Sequence, residues 1–349
     1  MLNRIIAAAF ALIGFLIGGV LTGIINPGLE RLAEAPVAEV ETPASAEFEL
    51  KLVMSRNPPK AVQTVSFPAA PAPDAPVHGY GPDEEGPTLW RVSDADSVMW
   101  LLGTVHALSA DVNWRSPEVE AAVAQAQTVF FESDLAVDLS VREIRQLQRL
   151  ATYRNGPPLT ERLSRNARLR LLRAARRLGV PQSDLMRARP WNASLILGAA
   201  MARKAGMERD LGVENVLASG LGDRQTRYLE DGVAVLTRLA EIPEDEQIAE
   251  LEKALIAIDD NPYRTAAIEE AWAEGDQARI TEIVLASMPE DSATYRVMIR
   301  DRNHAWAETL VEHLEGDGVS LVAVGAAHLV GPDRVQRLLE DAGYTVDRF

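Results

Sequence analysis

Apolar and polar positions divide the chain into three stretches with different solvents in view. From Ile5 to Ile25 every side chain is uncharged and nearly all are apolar or glycine. That is the ~20 residues a helix needs to cross the hydrocarbon core. Residues 1–26 are therefore predicted to form an N-terminal transmembrane anchor. Arg4 is the only charged side chain before the apolar run, which leaves the N-terminus cytoplasmic and the rest across the membrane. A cleaved secretory signal is the competing reading, with Ala33 to Ala35 as an Ala-x-Ala site followed by Pro36. Residues 27–87 are rich in Pro, Ala and Glu, as in FPAAPAPDAP. Such a stretch cannot bury enough apolar surface to fold, so it is predicted to be an extended linker. The piece Phe48 to Met54 alternates like a short strand, and His78 is expected to be solvated.

Folded periodicity begins at residue 88 and is predicted to run to 349 as one domain. LWRV, polar SDADS and then VMWLLG predict a hairpin leading into a core strand. Ser116-Pro117 opens a helix with Val119, Ala122, Val123 and Ala126 on one face, and TVFFE is a second short strand. The C-terminus repeats the plan, with strand VSLVAVG, a helix over about 332–341 and a last strand YTVDRF. Strand, Gly-x-x-His, helix, strand thus occurs twice, and a helix returning the chain to a neighbouring parallel strand is the βαβ unit. Between these units helices are predicted near 139–152, 159–178, 183–205, 211–219, 232–241, 244–258, 262–274, 277–287 and 291–315, with one strand, RQTRYLE. The fold class is α/β: a small central sheet carrying the two units, and a largely helical middle section.

Charge and composition narrow the chemistry. The net charge of −16 disfavours a phosphate backbone as partner, so nucleic acid is not expected. The basic run from Arg162 to Arg177 reads as a solvated helix face. Without cysteine there is no thiolate nucleophile, disulfide or Cys-held zinc, so any ion must sit on nitrogen and oxygen ligands. HExxH, GxSxG and Walker loops are absent as well.

Candidate chemistry gathers at the strand ends. His106 in LLGTVH and His328 in AVGAAH each come three residues after the glycine closing a buried strand. Ligands of open α/β sheets bind beyond the carboxyl ends of strands. Glu132 ends TVFFE and Glu230 ends RYLE, placing two carboxylates on the same rim. Two His with one or two Glu suit Zn, Mn, Co or Fe(II) and leave positions open for water. His304 and His313 are nine residues apart on one predicted helix, on opposite faces, and form no ligand pair; His313 is expected at the surface. Most tryptophans are expected in the core, while polar-flanked Trp114 is a candidate for the cleft.

GTVHAL, FFESD, the Leu-Glu at Glu230, Arg302-Asn303, VGAAHLVG and also ARPWNASL together resemble the TraB/GumN family from about Leu89 to the C-terminus. The resemblance implies a fold related to erythromycin esterase and ChaN-type haem-binding proteins, and kinship with the Tiki proteins, membrane-bound metal-dependent proteases. It implies that His106 and His328 are the paired histidines, Glu132 the first glutamate, and Arg302 and Asn303 the Arg-Asn pair. Three departures stand out: Asp231 follows Glu230 where Thr is usual, Glu214 stands where Asp is common, and Pro332-Asp333 stands where a second Gly is common.

The expected function is a membrane-anchored, extracytoplasmic metal-dependent hydrolase acting on peptides or small molecules. It would sit in the inner membrane with its C-terminal domain periplasmic. In this reading His106, His328, Glu132 and Glu230 are the metal ligands, and Glu132, Arg302 and Asn303 carry catalysis. Arg302 would pin a substrate carboxylate or developing oxyanion. The alternative is a non-catalytic protein that sequesters a peptide or small ligand, as family members credited with blocking peptide pheromones do. Haem handling is a third reading, through ChaN alone.

Overall fold

The computed structural model describes residues 86–134, 139–260 and 266–349, with no side-chain description at Asp260. The predicted membrane helix over 5–25, the alternating piece at 48–54 and His78 lie outside the described residues, as does the linker through residue 85. Among the described residues no helix is long and apolar enough to cross a membrane.

A six-stranded sheet in the order β4-β3-β5-β2-β1-β6 organises the rest. Its strands are β1 (Leu89–Ser93), β2 (Ser97–Thr104), β3 (Thr128–Ser133), β4 (Gln225–Glu230), β5 (Gly318–Gly325) and β6 (Thr345–Arg348). β1 and β2 form the expected antiparallel hairpin. Its polar turn closes on Asp94, whose Oδ1 accepts from the backbone N–H of Ser97 at 2.9 Å and from its hydroxyl at 2.7 Å. β2, β5, β3 and β4 are mutually parallel. The two strand–helix–strand units exist, but their strands are not hydrogen-bonded neighbours. β5 lies between β2 and β3, while β2 and β1 lie between β5 and β6.

Near-continuous apolar runs in β2 and β5 fit strands buried on both faces. Side chains alternate across the sheet: Trp100, Leu102, Leu321 and Ala323 feed the core on one face, Met99, Leu101, Val322 and Val324 that on the other. Helices Asp301–Leu314 and Val335–Asp341 cover the second face through Trp306, Leu310, Val335 and Leu339. The helical middle has its own cluster, including Leu171, Ile196, Met201 and Leu255. Helix Pro190–Lys204 joins the two cores, giving Trp191 and Leu195 to the sheet side and Ile196 and Leu197 to the other.

Three predicted helices are interrupted, each for a local reason. The 159–178 helix breaks before Ser164, whose hydroxyl caps Ala167 N–H at 3.2 Å. The 183–205 helix breaks before Pro190, which starts a new helix. The 291–315 helix passes through a π-type turn over Arg296–Arg300. On the basic run, Arg170 and Arg173 pair with Asp259 and Arg162 with Glu244, so part of that face binds the helix Glu244–Asp260. His313 is half-buried edge-on against Phe130, with 4.8 Å between centroids, where sequence put it at the surface.

Candidate functional site

Parallel register brings the strand ends to one rim. Thr104 pairs with Gly325, and Ser133 with Glu230, so β2, β5, β3 and β4 finish side by side. His106 follows β2 by two residues and His328 lies in the 3-10 turn Ala326–Leu329 directly after β5. The two segments are anchored differently. The indole Nε1 of Trp272 donates to the carbonyl of Gly103 at 2.8 Å, fixing the end of β2. Beyond His106, Glu269 accepts from both the backbone and the hydroxyl of Ser109.

A residue from the helical middle completes the His106 side. Val213 N–H donates to the carbonyl of Val105 at 3.0 Å, which docks the start of helix Val213–Gly220 on the strand end. A Cβ at Gly212 would overlap the carbonyl oxygen of His106, so glycine permits this approach. The docking puts Glu214 Oε1 3.1 Å from His106 Nδ1, with the Thr104 hydroxyl on the same oxygen. Burial works against a charged His106, but the Glu214 carboxylate, helped by Glu132, outweighs it and raises its pKa to about 9. Glu214 is held below the ordinary carboxylate range, His106 overcoming its burial. Among the described residues, the buried His106 Nε2 and Glu214 Oε2 have no hydrogen-bond partner.

Glu132 stands between the two histidines, 6% exposed. Its Oε1 accepts from Gly325 N–H at 2.5 Å and lies 3.7 Å from His328 Nε2, while Oε2 accepts from Arg302 Nη2 at 2.7 Å. Burial would raise its pKa, yet Arg302 and the histidines bring it below the usual range. One donor atom each from His106, Glu132 and Glu214 lies within 4.8 Å of the others. This nitrogen–oxygen set, with two buried atoms lacking partners, fits a divalent ion of the Zn, Mn, Co or Fe kind.

His328 and Glu230, predicted as ligands, meet a guanidinium. Arg302 is 3% exposed and all its N–H groups face protein acceptors. Nε donates to Glu230 Oε1 at 2.6 Å, Nη1 to the carbonyl of Met298 at 3.0 Å and to His328 Nε2 at 3.1 Å. Nη2 reaches Glu132 and Glu230. Arg302 is thus engaged within the protein, and the expected contact with a substrate carboxylate would require it to leave these partners. Its guanidinium also lies over Trp306 at 4.6 Å, and that indole packs against the His328 ring at 4.3 Å. Burial, then the nearby Arg302 charge, lowers the His328 pKa to about 3, so the ring is neutral. Glu230 is pushed up by burial despite Arg302, and its Oε2 holds Arg238 at 3.0 Å.

Asn303 is fully buried and touches the His328 side only: its amide serves the His328 ring and the carbonyls of His328 and Asp333. Asp333 in turn accepts from the Tyr295 hydroxyl at 3.0 Å, so the Pro332-Asp333 departure gives a tethered loop. Trp114 is buried in the sheet-side core. ARPWNASL serves packing, with Asn192 donating to the carbonyl of Ala151 and Trp191 N–H to Gln247. The residue that sequence reasoning passed over is Glu214. Its one signal was the Gly-Val-Glu run, noted only as a departure from a family pattern.

Comparison with known proteins follows the same boundaries as the fold. A family model described as the TraB/PrgY/gumN family matches residues 88–348. The uncharacterized protein YbaP of Escherichia coli K12 is 23% identical over 271 residues, covering 72% of this chain and 97% of YbaP. YbaP of Shigella flexneri gives the same 23% identity and coverage. No solved structure matches the chain.

Proposed function

The chain belongs to the TraB/PrgY/gumN family, and on that premise we propose that it is a metal-dependent hydrolase with peptidase-like activity, anchored in the inner membrane and facing the periplasm. The ion's ligands are His106, Glu132 and Glu214. One observation carries this reading: two buried ligand-type atoms, His106 Nε2 and Glu214 Oε2, lack partners beside a third ligand, the Glu132 carboxylate. A bound divalent ion lowers the pKa of water and polarises a carbonyl, which is hydrolytic chemistry. The protein's own contribution is orientation. Thr104 turns Glu214, Gly325 N–H fixes the rotation of Glu132, and Arg302 keeps Glu132 ionised. His106 at 23% side-chain exposure is the open flank by which a substrate carbonyl reaches the group.

The location of the site outside the cytoplasm rests on the uncharged run from Ile5 to Ile25 preceded by Arg4. Protease treatment of intact cells and of sealed spheroplasts tests it: protection of the domain in cells and its digestion in spheroplasts whose inner membrane is still closed is the expected result, and protection in sealed spheroplasts would overturn it. For the activity, the purified full chain is analysed for metals and presented with a peptide library with and without chelator. Cleavage that disappears on chelation and returns with metal is expected. A sequestering protein without turnover is the second reading, favoured by the engagement of both Glu132 oxygens with Arg302 and Gly325, which ties that carboxylate to the protein rather than leaving it free to shuttle a proton. Retained peptide and no product would select it.

A further inference from the structure

Hydrogen-bond direction on the His328 side can be deduced atom by atom. Asn303 Nδ2 donates to two carbonyls, of His328 at 3.1 Å and of Asp333 at 2.7 Å. Its orientation is thereby fixed, since carbonyls accept only. Asn303 Oδ1 then faces His328 Nδ1 at 2.6 Å and must accept, so Nδ1 carries the ring proton. Nε2 is left with its lone pair, and Arg302 Nη1, which can only donate, points at it from 3.1 Å. That lone pair is what a metal ligand would need, and the ring has no solvent-exposed surface through which to turn.

We propose that the centre takes one divalent ion per chain, that the Arg302 guanidinium occupies the place of a second cation, and that His328 is a positioning residue for that guanidinium. The inference rests on the hydrolase reading only in assuming that an ion binds at His106, Glu132 and Glu214. Two-ion hydrolases hold their cations a few ångströms apart with shared ligands between them. Here Glu132 is the shared carboxylate, belonging to the three-residue donor set and paired with Arg302. Glu230 closes the far side of the guanidinium. Charge agrees: against three carboxylates, Glu132, Glu214 and Glu230, stand Arg302, one dication and, at the rim, Arg238 on the second oxygen of Glu230, with both imidazoles neutral. A second dication would leave the buried cluster with an excess of positive charge, which is costly to bury.

The test uses full-length protein in detergent, titrated with zinc and analysed for bound metal. One ion per chain is expected. His328→Gln keeps an oxygen acceptor for Arg302 and should retain the ion with affinity lowered about 10-fold, the low end for an outer partner. His106→Ala should lose it. Nitrogen-15 spectra of the wild-type histidines give a readout independent of any variant: His328 protonated on Nδ1, bare on Nε2 and unchanged by zinc, while His106 shifts. Two ions per chain, a folded His328→Gln chain without metal, or a zinc-induced shift of His328 Nε2 would each overturn the inference and leave the hydrolase reading standing. Absence of any uptake by the wild type would remove both. Should His328→Gln not fold, the wild-type spectra decide.

Discussion

The ends of β2 and β5 carry the same short pattern, a glycine and then a histidine three residues on, and the fold treats them in opposite ways. After β2 the imidazole keeps some solvent contact, meets a carboxylate through Nδ1 and leaves Nε2 without a partner. After β5 the imidazole is sealed, meets a guanidinium through Nε2 and an amide through Nδ1. One environment sets carboxylates against a ring and raises its basicity; in the other, burial first and then the Arg302 guanidinium remove it. The lesson is that a motif places a ring, and its neighbours decide what the ring can do.

Substitutions on the two sides should separate accordingly. The largest effect is expected at His106→Ala, with loss of metal uptake from a chain that still melts cooperatively, checked by elemental analysis and calorimetry. Next comes Arg302→Ala, which leaves the buried Glu132 without its cation and Glu230 with only the half-exposed Arg238. Breaking a buried pair in this way costs about 3–5 kcal/mol, readable as a lowered urea midpoint. Asn303→Ala strips the His328 ring N–H and two carbonyls of their partner and should cost about 1–3 kcal/mol. Equal urea midpoints for Asn303→Ala and wild type would show that the amide does not fix the ring.

The most gradual effect is the pH dependence of the metal-free protein, spread over several pH units with a slope of at most ~1.4 kcal/mol per pH unit for each ring. His106 has a folded pKa raised to about 9, so its contribution is complete below about 6.5 and is lost as pH rises through 9. His328 has a folded pKa lowered to about 3, so its contribution is complete above about 6.5 and is lost as pH falls toward 3. Urea midpoints measured across this range should show His106→Ala flattening the alkaline limb and His328→Gln the acidic one. Both variants altering the same limb would erase the contrast between the two ends.

Much of this arrangement was legible along the chain. The apolar runs with their closing glycines gave β2 and β5, and the carboxylate after Phe130-Phe131 gave Glu132, because strand ends and buried strands are local patterns. Sheet order was not legible: nothing near β2 says that β5, from the far end of the chain, will separate it from β3. Glu214 was hidden for a similar reason. It reaches His106 only because Gly212 lets a helix end touch a strand end more than a hundred residues earlier. Likewise, the proton on His328 depends on which way the Asn303 amide faces, and a carbonyl at Asp333 sets that. Such long-range hydrogen bonds leave no periodic trace.

The wide turn over Arg296–Arg300 bears on how the protein can change. A π turn accommodates one extra residue within a helix, and each residue of a regular helix advances the next by about 100°. Deleting one residue there would let the helix close into ordinary geometry while Arg302 and Asn303 keep facing the interior, so the wide turn absorbs a difference in chain length just upstream of the site and spares the internal cation.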